Sequence, residues 1–423
     1  MKKTGLHALF DGYDVFIIPS KEESTLLYAP LLKKVFRVSD DLGKLIASQG
    51  FSLDSKNEGL QQIITAFDDA KNDAIDPELP NPVGTVNLSL ELTRDCSLSC
   101  LYCHAEAGKN KNMPKKILDA AIKHAFDRSK EINANKLYVS YVAGGEPTFK
   151  WRRFKESVEK IKSGEETYGI PSRLSITTNG YFGRTKQKFL CDYFDSINLS
   201  FDGMKEIQDK NRPLVKGGSS YDRVIETARY FSDHAKSFSV RSTITQDSVN
   251  LMPEIVNFFH EELGTNFDIA FEPSFPLGRA AGSTTIPLQE SYVENYIKAM
   301  NVGKDLGITV ATSANSSFNR IVTSYCGALS LFSFVVTTDG IVTACEGDAD
   351  GLNYAYGQFD GANFPFDNEK KDRITKITEL PKDCLPCFAK YHCAGDCPNT
   401  RLIGYDHCTI QQKLVQYNLE QLV

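Results

Sequence analysis

The sequence predicts an α/β fold: a parallel sheet with helices outside it, flanked by a small N-terminal α+β domain and a Cys-rich C-terminal domain. Three observations carry this reading. Six strand–helix units follow one another between about 85 and 307, and such alternation builds parallel sheets. Residues 86 to 92, VNLSLEL, alternate apolar and polar strictly, as a half-buried strand does. Seven of the 11 cysteines lie after residue 325, where the strand–helix rhythm has faded.

In chain order, residues 1–82 hold two strand candidates, DVFIIP and TLLYAP, and two helix candidates, DDLGKLIASQG and GLQQIITAFDDAK. The Pro-rich DPELPNPVG then reads as a linker. Residues 83–310 carry the alternation. VNLSLEL leads to the helix MPKKILDAAIKHAFDRSKEI, with Pro114 near its start. KLYVSYVAGG precedes KWRRFKESVEKIKSG, which is expected to stop at Gly164. SRLSITTNG precedes RTKQKFLCDYF, SINLSFDG precedes YDRVIETARYFSDHA, and FSVRSTIT precedes MPEIVNFFHEEL. FDIAFEPSF and LQESYVENYIKAMNVGKDLG close the series. Six units allow an open doubly wound sheet or an incomplete barrel, and in both the site lies on loops at the C-terminal ends of the strands. Residues 311–423 form the cysteine-rich part.

With 423 residues, 41% hydrophobic and 24% charged, the balance is that of a globular protein. A net charge of −6 offers no basic field for nucleic acid. The N-terminus lacks the apolar run of a signal peptide, and stretches such as VFII and LFSFVV fall far short of the ~20 residues that span a bilayer. The expectation is a soluble, cytoplasmic protein with no membrane partner. There, 11 cysteines point to metal or redox chemistry and not to disulfides.

The first cysteine set is RDCSLSCLYCHAEAG, with Cys96, Cys100 and Cys103 spaced C-x3-C-x2-C on the loop after the first strand. A closed zinc site takes four ligands, and an iron–sulfur cube takes one thiolate per iron, so three leave one metal corner open. AGGEP (143–147), TTNG (177–180) and SFDG (200–203) end the next three strands. Glycine there permits close backbone approach to a ligand, and Asn, Ser and Asp can bind hydroxyls.

C-x3-C-x2-C with Tyr102 before its last cysteine, followed by GGEP, resembles the radical S-adenosylmethionine (radical SAM) enzymes over about 85–310. The resemblance implies a partial (β/α)6 barrel. It also implies that Cys96, Cys100 and Cys103 are catalytic, holding a [4Fe–4S] cluster whose fourth iron chelates S-adenosyl-L-methionine. Electron transfer then yields a 5′-deoxyadenosyl radical. By the same similarity Gly144, Gly145 and Glu146 line the methionine end and Tyr102 sits by the adenine. Asn179, Ser200 and Asp202 lie near the ribose or carboxylate. Arg212 and Arg241 are candidate carboxylate partners, the alternative for each being an ion pair.

The second set is Cys326, Cys345, then Cys384-x2-Cys387-x5-Cys393-x3-Cys397, and Cys408. Paired zinc-ribbon units would need a second C-x2-C, which is missing. The pattern resembles the seven-cysteine SPASM extension, an iron–sulfur domain with two auxiliary [4Fe–4S] clusters. Carried over, Cys384, Cys387, Cys393 and Cys408 bind the outer cluster. Cys326, Cys345 and Cys397 bind the inner one, with no fourth cysteine in SSFNRIVTSY. Some SPASM enzymes place a proton-accepting acid directly after the Cys345 position, where this chain has Glu346. Cys191, alone in KFLCDYFD, reads as a buried structural cysteine. The basic KNKNMPKK reads as a solvated loop, or as a contact for an acidic substrate or electron donor.

The resemblance implies an oxidoreductase-type peptide maturase. It would abstract hydrogen from a ribosomal precursor peptide and form a thioether or carbon–carbon crosslink, supplied with electrons by a donor such as flavodoxin or ferredoxin. The N-terminal layout loosely resembles the winged-helix element that grips a leader peptide by strand addition; a plain capping domain is the alternative. The competing functions are a formylglycine-forming sulfatase maturase and a non-catalytic iron–sulfur electron-transfer or binding protein.

Overall fold

The structure is a computed structural model that describes residues 6–21, 23–52, 54–76, 85–105, 107–282, 285–313, 318, 320–327, 333–348 and 350–423. The N-terminal part is an antiparallel sheet in the order β1 (Leu6–Phe10), β2 (Tyr13–Pro19), β3 (Ser24–Ala29), β4 (Lys34–Ser39). The two strands expected from the sequence are β2 and β3. β1 and β4 are additional edge strands. Their residues are largely exposed or half-buried, so LHALF and KVFRVS lack the apolar run that marks a central strand. Both expected helices form, as Asp40–Gln49 and Glu58–Ala70. Ser39 and Asn57 cap them by accepting the N–H of Leu42 and Leu60.

β2 and β3 are apolar on both faces because two layers cover them. One face packs with Ile46, Leu60, Ile64 and Phe67 of the helices. The other, through Phe16, Ile18, Leu26 and Tyr28, packs on Phe388, Cys393, Val415 and Leu419 of the C-terminal part. Tyr28 and His392 share a 2.6 Å hydrogen bond across this seam.

The main sheet holds β5 (Thr85–Leu90), β6 (Lys136–Tyr141), β7 (Ser172–Thr178), β8 (Ser196–Ser200), β9 (Phe238–Ile244), β10 (Asp268–Pro273) and β11 (Thr309–Ala311). All are parallel and each lies beside its successor. The strand order never reverses, so the sheet is singly wound like a partial barrel and not doubly wound. The six expected strand–helix units are all present.

Beyond β5 the sheet continues into β12 (Phe334–Val336), parallel to β5, and then into antiparallel β13 (Ile341–Thr343) and β14 (Ala355–Gln358). These strands, three or four residues long, carry too little periodicity to be read from sequence. The cysteine-rich part is thus stitched to the barrel by a strand ladder. The expected boundary at 310/311 falls inside β11, and the linker and the boundary at 82/83 lie largely outside the described residues.

One expected helix end is corrected. The helix Trp151–Tyr168 runs through Gly164 and stops at Gly169, whose left-handed φ of 69° ends it. Gly164 is a packing residue: a Cβ there would sit 2.3 Å from the Phe126 ring. No helix among the described residues is long and apolar enough to cross a membrane.

Candidate functional site

The loop after β5 carries Cys96, Cys100 and Cys103, each partly buried. Its backbone is tied down without the sulfurs: Ser99 N–H donates to Pro213 O, Leu101 N–H to Asn211 O, and Val215 N–H to Ser97 O. Each sulfur meets a donor. Leu98 N–H and Asn179 Nδ2 reach Cys96 Sγ, both at 3.5 Å, Ala107 N–H reaches Cys103 Sγ at 3.5 Å, and Arg212 Nη1 lies 3.9 Å from Cys100 Sγ. Burial pushes the Cys96 thiol up to about 12 and the Cys100 thiol to about 11. Thiolates here therefore need a cationic partner, which is what a metal cluster supplies.

The loop after β6 docks on this one. Gly145 N–H donates to Thr93 O and Glu146 N–H to Asp95 O. A Cβ on Gly145 would lie 2.1 Å from Asp95 O, and one on Gly144 (φ 68°) 2.6 Å from Glu91 Cγ. The glycine pair thus sets the spacing between the two loops. The Glu146 carboxylate is buried. It accepts from Thr148 N–H and Oγ1, from Thr178 Oγ1 and from Asn179 N–H at 2.8–3.1 Å, locking the ends of β6 and β7 together.

Asp202, at the end of β8, is fully buried with both oxygens taken. Oδ1 accepts from Arg212 Nε at 2.9 Å and Thr243 N–H at 3.0 Å; Oδ2 accepts from Tyr102 Oη and from Asn211 Nδ2. The Arg212 guanidinium lies over the Tyr102 ring, 5.2 Å from its centroid. Asp202 and Arg212 thus form a buried ion pair that positions Tyr102, the alternative that the sequence left open for Arg212. Ser200 is half-buried and Arg241, its partner in register across β8 and β9, is exposed.

Glu346 comes from the β13–β14 loop yet reaches the barrel, accepting from Ser89 Oγ of β5 at 2.9 Å. Ser89 in turn shares a hydrogen bond with Ser140 of β6. Burial pushes the Glu346 carboxyl above its ordinary range, opposed by Ser89 and the Arg241 charge.

The other thiols fall into two groups by the charges they feel. Cys345 and Cys397 interact with each other and with Cys326. Cys393 interacts with Cys384, Cys387 and Cys408. Burial pushes the Cys345 and Cys397 thiols up, opposed by the backbone N–H groups of Gly347, Asn399 and Thr400. Among the described residues no three His, Cys, Asp or Glu side chains converge tightly enough to hold one metal ion. A polynuclear cluster asks for something different, one thiolate per iron around a larger body. The chemistry of these donor sets, sulfurs in groups met by N–H donors, fits iron–sulfur clusters. Cys191 is half-buried against the core, apart from all three groups.

Sequence reading missed several residues that build the site. Arg279 clamps the cysteine loop through Cys100 O and Ala107 O, and a Cβ on Gly278 would lie 2.4 Å from Cys103 O. Arg94, almost fully buried, pairs with Glu91 at 2.9 Å and with Asp350 of the C-terminal part at 2.5 Å. Arg279 and Gly278 meet backbone atoms far away in the chain, and Arg94 adds the distant Asp350 to its local partner Glu91, so none of the three stands out in sequence.

Residues 90–251 match the Radical SAM superfamily. The cysteine-type anaerobic sulfatase-maturating enzyme of Clostridium perfringens is 25% identical over 175 residues, which is 40% of this chain and 46% of that protein. The alignment thus spans less than half of that relative. The structure described as native anSMEcpe with bound AdoMet and Cp18Cys peptide superposes with a TM-score of 0.64 at 18% identity, over 79% of this chain and 96% of that one. Streptococcus suis SuiB bound to precursor peptide SuiA gives 0.51 at 16% identity, over 96% of both chains. At these identities the solved structures establish a shared fold. Within the stretch that holds the cysteine loop and the glycine loop docked on it, the chain carries a radical SAM domain.

Proposed function

We propose that this chain is a radical SAM peptide maturase with a SPASM domain, acting on a ribosomal precursor peptide. The observation that carries the reading is the grouping of its cysteines into sets of three, three and four. In this reading residues 83–310 are the radical SAM barrel, 311–423 the SPASM domain, and 1–82 a leader-binding domain. Support for a peptide substrate comes from the two similar folds, whose structures were solved with peptides. A leader could add a strand to an edge of the four-stranded sheet.

Cys96, Cys100 and Cys103 would hold a [4Fe–4S] cluster. With S-adenosylmethionine bound, that centre supplies the electron that cleaves the sulfonium and the radical that abstracts hydrogen. The chain's own residues do the rest. Gly144 and Gly145 let the β6 loop approach closely enough to receive an amino acid moiety. Asn179 is oriented by its own bonds to Ser97 and Tyr181. Ser200 and Arg241 offer a hydroxyl and a cation on neighbouring strands. Glu346 faces the barrel interior through Ser89 and would accept the proton released as the substrate is oxidised. Cys326, Cys345 and Cys397, with Cys384, Cys387, Cys393 and Cys408, would carry electrons onward, and flavodoxin or ferredoxin would supply them.

The test uses anaerobically reconstituted protein with reductant, S-adenosylmethionine and a peptide encoded beside its gene. Formation of 5′-deoxyadenosine together with loss of two hydrogen atoms from the peptide supports a crosslinking maturase. Formylglycine made in a sulfatase-derived peptide supports the sulfatase branch instead, which the Clostridium similarity and the placement of Glu346 favour. If no 5′-deoxyadenosine forms, a non-catalytic iron–sulfur protein is the better reading. Glu346→Gln is expected to keep 5′-deoxyadenosine formation within about twofold while peptide conversion falls by at least ~100-fold, the scale of a lost general base. Equal conversion by the variant would remove Glu346 from the mechanism.

A further inference from the structure

We infer that the hydroxyl of Tyr354 donates a hydrogen bond to the inner auxiliary cluster of Cys326, Cys345 and Cys397, raising that cluster's reduction potential. The inference rests on the three-cluster reading above. Tyr354 is fully buried, and among the described residues its Oη has no hydrogen-bond partner. Buried hydroxyls in native proteins are almost always paired. The other tyrosines buried as deeply obey this: Tyr141 shares a bond with Ser157 Oγ at 2.8 Å, Tyr292 donates to Phe271 O at 3.0 Å, and Tyr356 to Ser333 O at 3.2 Å.

The backbone fixes where this phenol stands. Asp348 accepts the N–H of Leu352, Asn353 and Tyr354, closing the β13–β14 loop on itself. Tyr354 O accepts from Ala344 N–H at 3.0 Å, which seats it beside the residue preceding Cys345. The charges that reach its hydroxyl are those of Cys345, Cys397, Asp348 and Arg401. Arg401 Nε is itself buried without a partner among the described residues, and its charge also reaches Cys384 of the outer group. Two orphaned donors therefore stand at the two auxiliary thiol groups. The inner one has only three thiols.

A donor, and not a ligand, is the chemistry the surroundings favour. Ligation would place a phenolate beside two thiolates and Asp348, adding negative charge to negative charge. A neutral O–H directed at a cluster sulfur withdraws electron density and favours the more reduced, more negative state. Hydrogen bonds to cluster sulfurs tune potentials in this direction.

The test is Tyr354→Phe in the reconstituted holoprotein, with Tyr356→Phe as a control that removes an equally buried hydroxyl already paired with Ser333 O, each titrated against potential and followed by paramagnetic resonance. For Tyr354→Phe we expect unchanged iron and sulfide, unchanged response to S-adenosylmethionine, and one auxiliary signal displaced to lower potential while the others stay. Tyr356→Phe should displace none. The inference is overturned if no potential moves, or if both variants move it alike. It is equally overturned if Tyr354→Phe loses iron together with a phenolate-to-iron absorption band, which would make Tyr354 a ligand. Wild-type protein holding only about four irons would remove the auxiliary clusters, and the inference with them. About twelve irons with an unmoved potential would refute Tyr354 alone.

Discussion

Replacing Cys96, Cys100 and Cys103 together by alanine is expected to reduce 5′-deoxyadenosine formation to background while about eight of about twelve irons stay bound, at four per cluster. The loss is complete because the loop offers no other thiol. Asn179 and Arg212 contact the sulfurs but cannot replace them as ligands. The remaining iron is retained because the fold does not depend on those sulfurs. Backbone bonds to Pro213, Asn211 and Val215 hold the loop, and the other two thiol groups sit on separate elements. Iron, sulfide and nucleoside analysis of the purified variant measures all three quantities. Persisting cleavage would displace the site. Loss of nearly all iron would mean that the three groups do not assemble independently.

The second large effect is on stability. Arg212→Met should cost about 3–5 kcal/mol, the penalty for stranding one partner of a buried ion pair. Asp202 is fully buried, and Arg212 is its cationic partner at 2.9 Å. For a unit of about 200 residues this lowers the melting midpoint by roughly 6–20 °C. Adding Asp202→Asn should recover part of the loss, since the amide no longer carries an uncompensated charge. Calorimetry of the holoproteins tests both statements. A double variant less stable than Arg212→Met alone would show that Asp202 matters for its bonds to Tyr102, Asn211 and Thr243 and not for its charge.

The barrel was legible because its two periodicities are strong: alternation in VNLSLEL, and helices with one buried stripe such as Ile117, Leu118, Ala121, Ile122 and Ala125. What escaped reading was set by distant partners. β1 and β4 are edges whose residues face solvent as often as protein, so their apolar pattern is diluted. Gly164 looked like a stop, but its reason to be glycine is the Phe126 ring on another helix. The cysteine groups were legible because their spacing is itself the signal. The residues supporting them were not. Arg94 finds Asp350 across 256 positions, and Glu346 finds Ser89 across 257. Asp202 and Arg212 each stand out in sequence, but that they pair with one another shows only in the fold.

The most direct measurement is the paramagnetic resonance spectrum of the reduced, oxygen-free protein with and without S-adenosylmethionine. A changed signal from the cluster on Cys96, Cys100 and Cys103, absent from the triple-alanine variant, is the predicted result. An identical spectrum in both conditions would contradict an iron left free to take that molecule.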